Sequence, residues 1–142
     1  MKKWFSVMLT VVLGTVGFFT ISTEPVHALD GQASVQNNLN LKVSTDRSAY
    51  SPLQSQVKVK LESNTNEQFY YTAGIRKLTF PVTHVFTQQG TLGTQTEFTA
   101  PVSTLLPPSG TVNYDVHVSV YKDASRSTLV GYYVSNPFSV SR

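Results

Sequence analysis

Apolar and polar residues alternate with period two along three stretches of the chain. Leu39, Leu41 and Val43 alternate with Asn40, Lys42 and Ser44. Val57, Val59 and Leu61 alternate with Lys58, Lys60 and Glu62. Val112, Tyr114, Val116, Val118 and Val120 alternate with Asn113, Asp115, His117, Ser119 and Tyr121. Successive side chains of a strand point to opposite faces, so each stretch predicts a strand with one buried and one wet face. Phe69 to Phe80 is apolar on both faces, which suits a central strand, and Gly74 is the expected place for a bulge. Val82 to Thr87 and Thr96 to Val102 predict shorter strands, the second turning Phe98, Ala100 and Val102 to one side. Leu129 to Val140 predicts the last strand, broken in two at Asn136-Pro137. No apolar stripe with helical spacing stands out.

Turn residues separate these stretches at regular intervals: Asp46 to Pro52, Asn64-Thr65-Asn66, Gln89-Gly90, Pro107 to Gly110 and Lys122 to Ser127. About seven antiparallel strands at such spacing predict an all-β fold, a single immunoglobulin-like β-sandwich. Gly110 followed by Tyr114 at the start of the most regular strand resembles the tyrosine corner of such sandwiches. The antibody-type disulfide is excluded, because the chain has no cysteine. The sandwich is expected over residues 38–142, after a loose leader at 29–37 that carries little apolar content.

The beginning of the chain reads differently. Lys2 and Lys3 precede an apolar run from Trp4 to Ile21, and Val26-His27-Ala28 has the small-x-Ala form of a cleavage site. Residues 1–28 are therefore expected to be a signal peptide, leaving a secreted, extracellular protein with no stable membrane insertion after cleavage. The absence of cysteine excludes a lipid-anchored lipoprotein. Leu106-Pro107-Pro108-Ser109-Gly110 resembles a sortase sorting signal, but a polar-alternating strand follows where an apolar span is needed, so it reads as a turn. At 142 residues the chain allows one domain of ordinary size, and its formal charge is only +3. Apart from Arg76-Lys77 its basic residues are scattered singly, and without a basic stripe no nucleic-acid partner is expected.

The segment Thr45-Asp46-Arg47-Ser48-Ala49-Tyr50-Ser51-Pro52, followed by Val57-Lys58-Val59-Lys60-Leu61, resembles the opening of bacterial extracellular immunoglobulin-like modules. Those modules place an Asp-bearing turn and Tyr-x-Pro-Gly before a strand that alternates Val with polar residues. They include macroglobulin-like domains, sandwich domains that flank polysaccharide-degrading enzymes, and the bacterial intracellular proteinase-inhibitor family. A signal followed by one sandwich is also similar in layout to small secreted proteins of Gram-positive, Bacillus-type bacteria. The likeness spans residues 45–61, implies the fold and carries no active site. Leu53 stands where those modules have Gly, so a different turn geometry is expected there.

Catalytic chemistry finds little support in the sequence. Asp115, His117 and Ser119 share a strand face, but side chains at i and i+2 stand about 6.5–7 Å apart, too far for the hydrogen bonds of a triad. A solvated strand face is the expected reading. Asp115 and His117 would supply only two metal ligands, with His84 a third if its strand lay alongside, and no calcium-loop pattern is present. No carboxylate pair is marked out for glycoside hydrolysis. The expectation is a protein that is not an enzyme and uses no metal or cofactor.

Tyrosines supply the one positive signal. Tyr70-Tyr71, Tyr121 and Tyr132-Tyr133 fall on strands expected to be neighbours in one sheet, and one member of each pair must face outward. Tyrosine offers apolar area and a hydroxyl at low entropic cost. Tyr71, Tyr121, Tyr132, Tyr133 and His117 are therefore the candidate binding residues, directed at an extracellular protein or a cell-wall polymer. Two alternatives stand beside this reading. One is an inhibitor of a secreted protease that uses an extended loop at Pro101 to Gly110. The other is a self-assembling extracellular structural protein that uses exposed strand edges.

Overall fold

A computed structural model describes residues 39–142; the expected signal and leader lie outside the described residues. Nine strand segments follow in order: β1 (Leu41–Thr45), β2 (Ala49–Tyr50), β3 (Gln56–Ser63), β4 (Phe69–Lys77), β5 (Thr83–Leu92), β6 (Gln95–Pro101), β7 (Thr111–Tyr121), β8 (Leu129–Val134) and β9 (Phe138–Ser141). They form two sheets. One has the order β1-β3-β6; the other has the order β2-β9-β7-β4-β5, with β8 paired to β7 past the end of β9. All pairings are antiparallel except β2 with β9. This is the immunoglobulin-like sandwich that the alternation predicts. The count exceeds seven because the final strand is broken, as expected at Asn136-Pro137, and because Ala49–Tyr50 forms a short bridge to β9.

The inward-facing set follows the pattern of the sequence. Val57, Val59 and Leu61 of β3, Phe98 and Ala100 of β6, and Val116, Val118 and Val120 of β7 are all buried in one core. Burying each Val or Leu side chain contributes about 1.5–3 kcal/mol, which fixes the register, because a one-residue slip would turn these residues to solvent.

Four tyrosines place their rings in this core, and three of them use the hydroxyl to hold backbone or turn. The Tyr114 hydroxyl donates to the Leu105 carbonyl at 2.6 Å, and its ring stacks on Phe138. That is the expected tyrosine corner, with Gly110 at φ 72° leading into the strand. The Tyr133 hydroxyl donates to the Leu39 carbonyl at 3.0 Å and ties β8 to the chain ahead of β1. The Tyr50 hydroxyl donates to Asp46 at 2.6 Å, and the same carboxylate oxygen accepts the Lys58 N–H at 2.9 Å. The Asp46…Tyr50 spacing is thus a clasp between the β1–β2 turn and β3. Burial and the Asp46 carboxylate hold the Tyr50 hydroxyl well above its ordinary range. Leu53 replaces Gly without strain: the Gln54 N–H closes the turn on the Ser51 carbonyl, and Leu53 is not among the described residues with positive φ.

Three sequence expectations need correction. Gln89-Gly90 is not a turn but part of β5, where the absence of a side chain on Gly90 leaves room for the Tyr71 hydroxyl; a Cβ there would lie 2.9 Å from it. Gly74 is not the bulge. It keeps register with Thr87 and His117, and the irregularity falls one residue later, where β5 skips Val85 between Phe86 and His84. Finally, the outer face of β7 is not fully wet, because Asp115 and Ser119 are buried.

Candidate functional site

The outer face of β5, β4, β7 and β8 carries three of the five candidate residues, His117, Tyr121 and Tyr132. Pairing sets Tyr70 opposite Tyr121, Gly74 opposite His117, Arg76 opposite Asp115, and Ser119 opposite Tyr132. The Val85 irregularity then determines where His84 points. Phe86 stacks inward on Phe98 and Val85 packs against the core, so the extra residue resets the alternation and turns His84 to the outer face. There its ring lies directly over Gly74; a Cβ on residue 74 would sit 2.5 Å from His84 Cδ2. The glycine is thus a gap in the sheet surface that lets β5 and β7 side chains meet across β4.

The result is a row of rings across four strands. His84 and His117 have ring centroids 6.2 Å apart, and His117 stacks on Tyr132 at 5.4 Å with an interplanar angle of 24°. Thr72, Gly74, Thr87 and Ser119 line a shallow cavity of about 260 Å³ with the two histidines. Arg76 and Asp115 close one side. Arg76 Nε donates to Oδ1 at 2.8 Å and Nη2 to Oδ2 at 2.7 Å, a bidentate pair whose carboxylate is buried. The solvated face expected for Asp115 is replaced by this pair. The His117 imidazole is held below its ordinary value, first by burial, then by the charges of Arg76 and His84, against the opposing pull of Asp115. It is neutral near pH 7, with donor and acceptor nitrogens and an apolar ring face.

Of the five binding candidates, His117, Tyr121 and Tyr132 are on this face, and Tyr132 is 47% exposed. Tyr71 and Tyr133 are not, being only 3% and 1% exposed in the core. Ala73 and Ile75, also buried, share the inward parity of Tyr71, and that is the signal that places Tyr70 outward. Sequence parity misses His84 and Gly74 as site residues, because a bulge of one residue reverses parity without leaving a mark in composition.

Asp115, His117 and Ser119 form no triad here: both Asp115 oxygens are taken by Arg76. Among the described residues, no group of three or more His, Cys, Asp or Glu side chains could hold a metal ion. The segment expected to offer an extended inhibitory loop is anchored at three residues and exposed at Pro101, Ser103, Thr104, Pro108, Ser109 and Gly110. Val102–Thr104 forms a 3₁₀ turn, Val102, Leu105 and Pro107 are buried, and Tyr114 holds the Leu105 carbonyl.

No curated protein matches the chain. A family model described as the YqgA MG2 macroglobulin domain matches residues 27–141, which takes in every strand of both sheets. A two-sheet immunoglobulin-like sandwich and a match over most of its length place this chain in the YqgA MG2 macroglobulin domain family.

Proposed function

We propose that this protein is an exported, non-enzymatic binding module whose recognition surface is the outer face of β4, β5, β7 and β8. The observation that carries the reading is the row His84–His117–Tyr132, laid across four strands over Gly74. Side chains on an ordinary wet strand face do not need a glycine gap to come together. Here the rings present a continuous apolar strip with the Tyr132 hydroxyl and the imidazole nitrogens along it, flanked by Tyr70 and Tyr121. Such a strip suits a partner with flat apolar faces and hydroxyl or amide groups, whether a segment of an extracellular protein or a cell-wall polymer. Binding would rest on a preformed surface, with no cofactor.

The test uses residues 29–142 as immobilised bait against cell-wall and culture-supernatant fractions of the producing cells. Parallel baits carry Tyr132→Ser with His117→Ala, or Lys42→Ser on the opposite sheet as a control. Tyr71 and Tyr133 are left alone because their rings belong to the core. Capture by the parent and the control, lost in the double variant, is the expected result. Equal capture by all three moves recognition away from this face, and capture by none removes the reading.

A further inference from the structure

The turn between β4 and β5 reads Leu78-Thr79-Phe80-Pro81-Val82 and carries no charge. Leu78 and Val82 are exposed, and Phe80 is fully exposed, with relative accessibility 101%. An aromatic ring that touches nothing in its own fold has no packing role. Isolated exposed apolar residues are ordinary, but Leu78, Phe80, Pro81 and Val82 together in one hairpin tip form a patch. The tip is also held out firmly: the Leu78 N–H donates to the Asn113 carbonyl at 2.9 Å, which continues the β4–β7 pairing to the base of the loop.

Charge around the tip is one-sided. Lys77 directly adjoins it. Among the described residues, the side-chain carboxylates at this end of the sandwich are engaged. Asp115 is taken by Arg76, and Asp46 by Tyr50 and the Lys58 N–H. Glu67 and Asp123 lie in the turns at the far end, next to the starts of β4 and β8.

From this we infer that the Leu78–Val82 tip docks into the surface of a lipid bilayer, with Phe80 as the inserted ring and Lys77 beside the headgroups. A protruding apolar tip fits the acyl–headgroup boundary, which yields around it, whereas a protein partner would need a matching pocket. Apolar insertion combined with attraction to anionic lipid is the physical basis of peripheral membrane binding. One short tip gives a weak, reversible attachment that orients the sandwich end-on and leaves the outer sheet face clear of the membrane plane. This inference does not depend on the ring row being a binding surface.

Phe80→Trp provides the probe, because the only tryptophan of the chain is Trp4, ahead of residue 29. Residues 29–142 contain every described core residue and all but the first two residues of the family match, so this segment is used. Vesicles of phosphatidylcholine with and without 30% phosphatidylglycerol (about one third anionic, to test the surface-charge contribution) are titrated in. A blue shift of the introduced tryptophan's emission, quenched by bromine-labelled acyl chains and stronger with phosphatidylglycerol, is expected. In parallel, Phe80→Ser lowers vesicle partitioning about tenfold relative to the parent, the scale of one aromatic side chain lost from the interface. The side chain at this position touches nothing in the core, so the Phe80→Ser variant keeps the circular dichroism and melting of the parent. Emission unchanged at millimolar lipid, or equal partitioning of parent and Phe80→Ser, overturns the inference. Partitioning lost instead in Tyr132→Ser would assign the membrane contact to the sheet face and overturn it as well.

Discussion

Replacing Tyr114 by Phe isolates a single hydrogen bond in the core. The ring remains, so stacking on Phe138 at 5.8 Å is kept, and only the hydroxyl that donates to the Leu105 carbonyl at 2.6 Å is removed. Both residues are buried, so the carbonyl loses its donor without gaining water. Leaving a buried acceptor unsatisfied costs about 1–3 kcal/mol, and the short distance and full burial favour about 2. For a domain of this size each kcal/mol moves Tm by about 4–8 °C, so a fall of about 8–16 °C is expected. Urea denaturation should show a lower midpoint with an unchanged slope, since the same surface is exposed on unfolding. Tyr132→Phe on the outer face is the control and should stay within about 0.5 kcal/mol of the parent. A Tyr114→Phe loss below about 0.5 kcal/mol would refute the reasoning, because it would mean that the Leu105 carbonyl readily finds another partner.

Three further outcomes follow from the outer face. Because His117 binds its proton less readily in the fold than at the ordinary 6.5, acidification charges the unfolded chain first, so stability is full above about pH 6.5 and declines as pH falls below it. Melting between pH 7 and pH 5 should show this slope, and His117→Gln should flatten it; stability rising on acidification in that window would contradict the assignment. Gly74→Ala should leave melting within about 1 kcal/mol, because His84 is exposed and free to swing away, yet it should separate the two imidazoles. Proton NMR titration would then show the His117 value moving back toward 6.5, and an unmoved value would mean that His84 has no influence on it. Asp115→Ala leaves the Arg76 guanidinium without its bidentate partner; discounted for the partial exposure of Arg76, the expected loss in chemical denaturation is about 1–2 kcal/mol.

The fold is legible in the sequence because its signal is repeated. Each of β1, β3 and β7 alternates over several residues, and the Asp46…Tyr50 and Gly110…Tyr114 spacings mark two turns that the hydroxyl bonds then secure. The candidate face is only half legible. Period two gives parity within a strand, so it places Tyr121 and His117 correctly, but it says nothing about which member of Tyr70-Tyr71 or Tyr132-Tyr133 faces out unless an inward neighbour is known. Gly90 reads as a turn because a glycine that makes room for a tyrosine hydroxyl looks the same in sequence as one that reverses the chain. Asp115 reads as wet because its partner, Arg76, is 39 residues away and comes alongside only through the β4–β7 register.

Closure of the sandwich depends on contacts between the two ends of the described chain. The Ser139 N–H reaches the Ser48 carbonyl, and Tyr133 reaches Leu39 across 94 residues. In a polypeptide that emerges with its N-terminal side first, β1 can pair with β3 early, but Ala49–Tyr50 have no β9 partner and the Leu39 carbonyl no Tyr133 hydroxyl until the end of the domain arrives. The β4–β5 hairpin can pair early, but the final latch waits for almost the whole domain. Such long-range pairing slows folding into the millisecond-to-second range. The two-sheet closure is therefore completed only when nearly the whole domain is present.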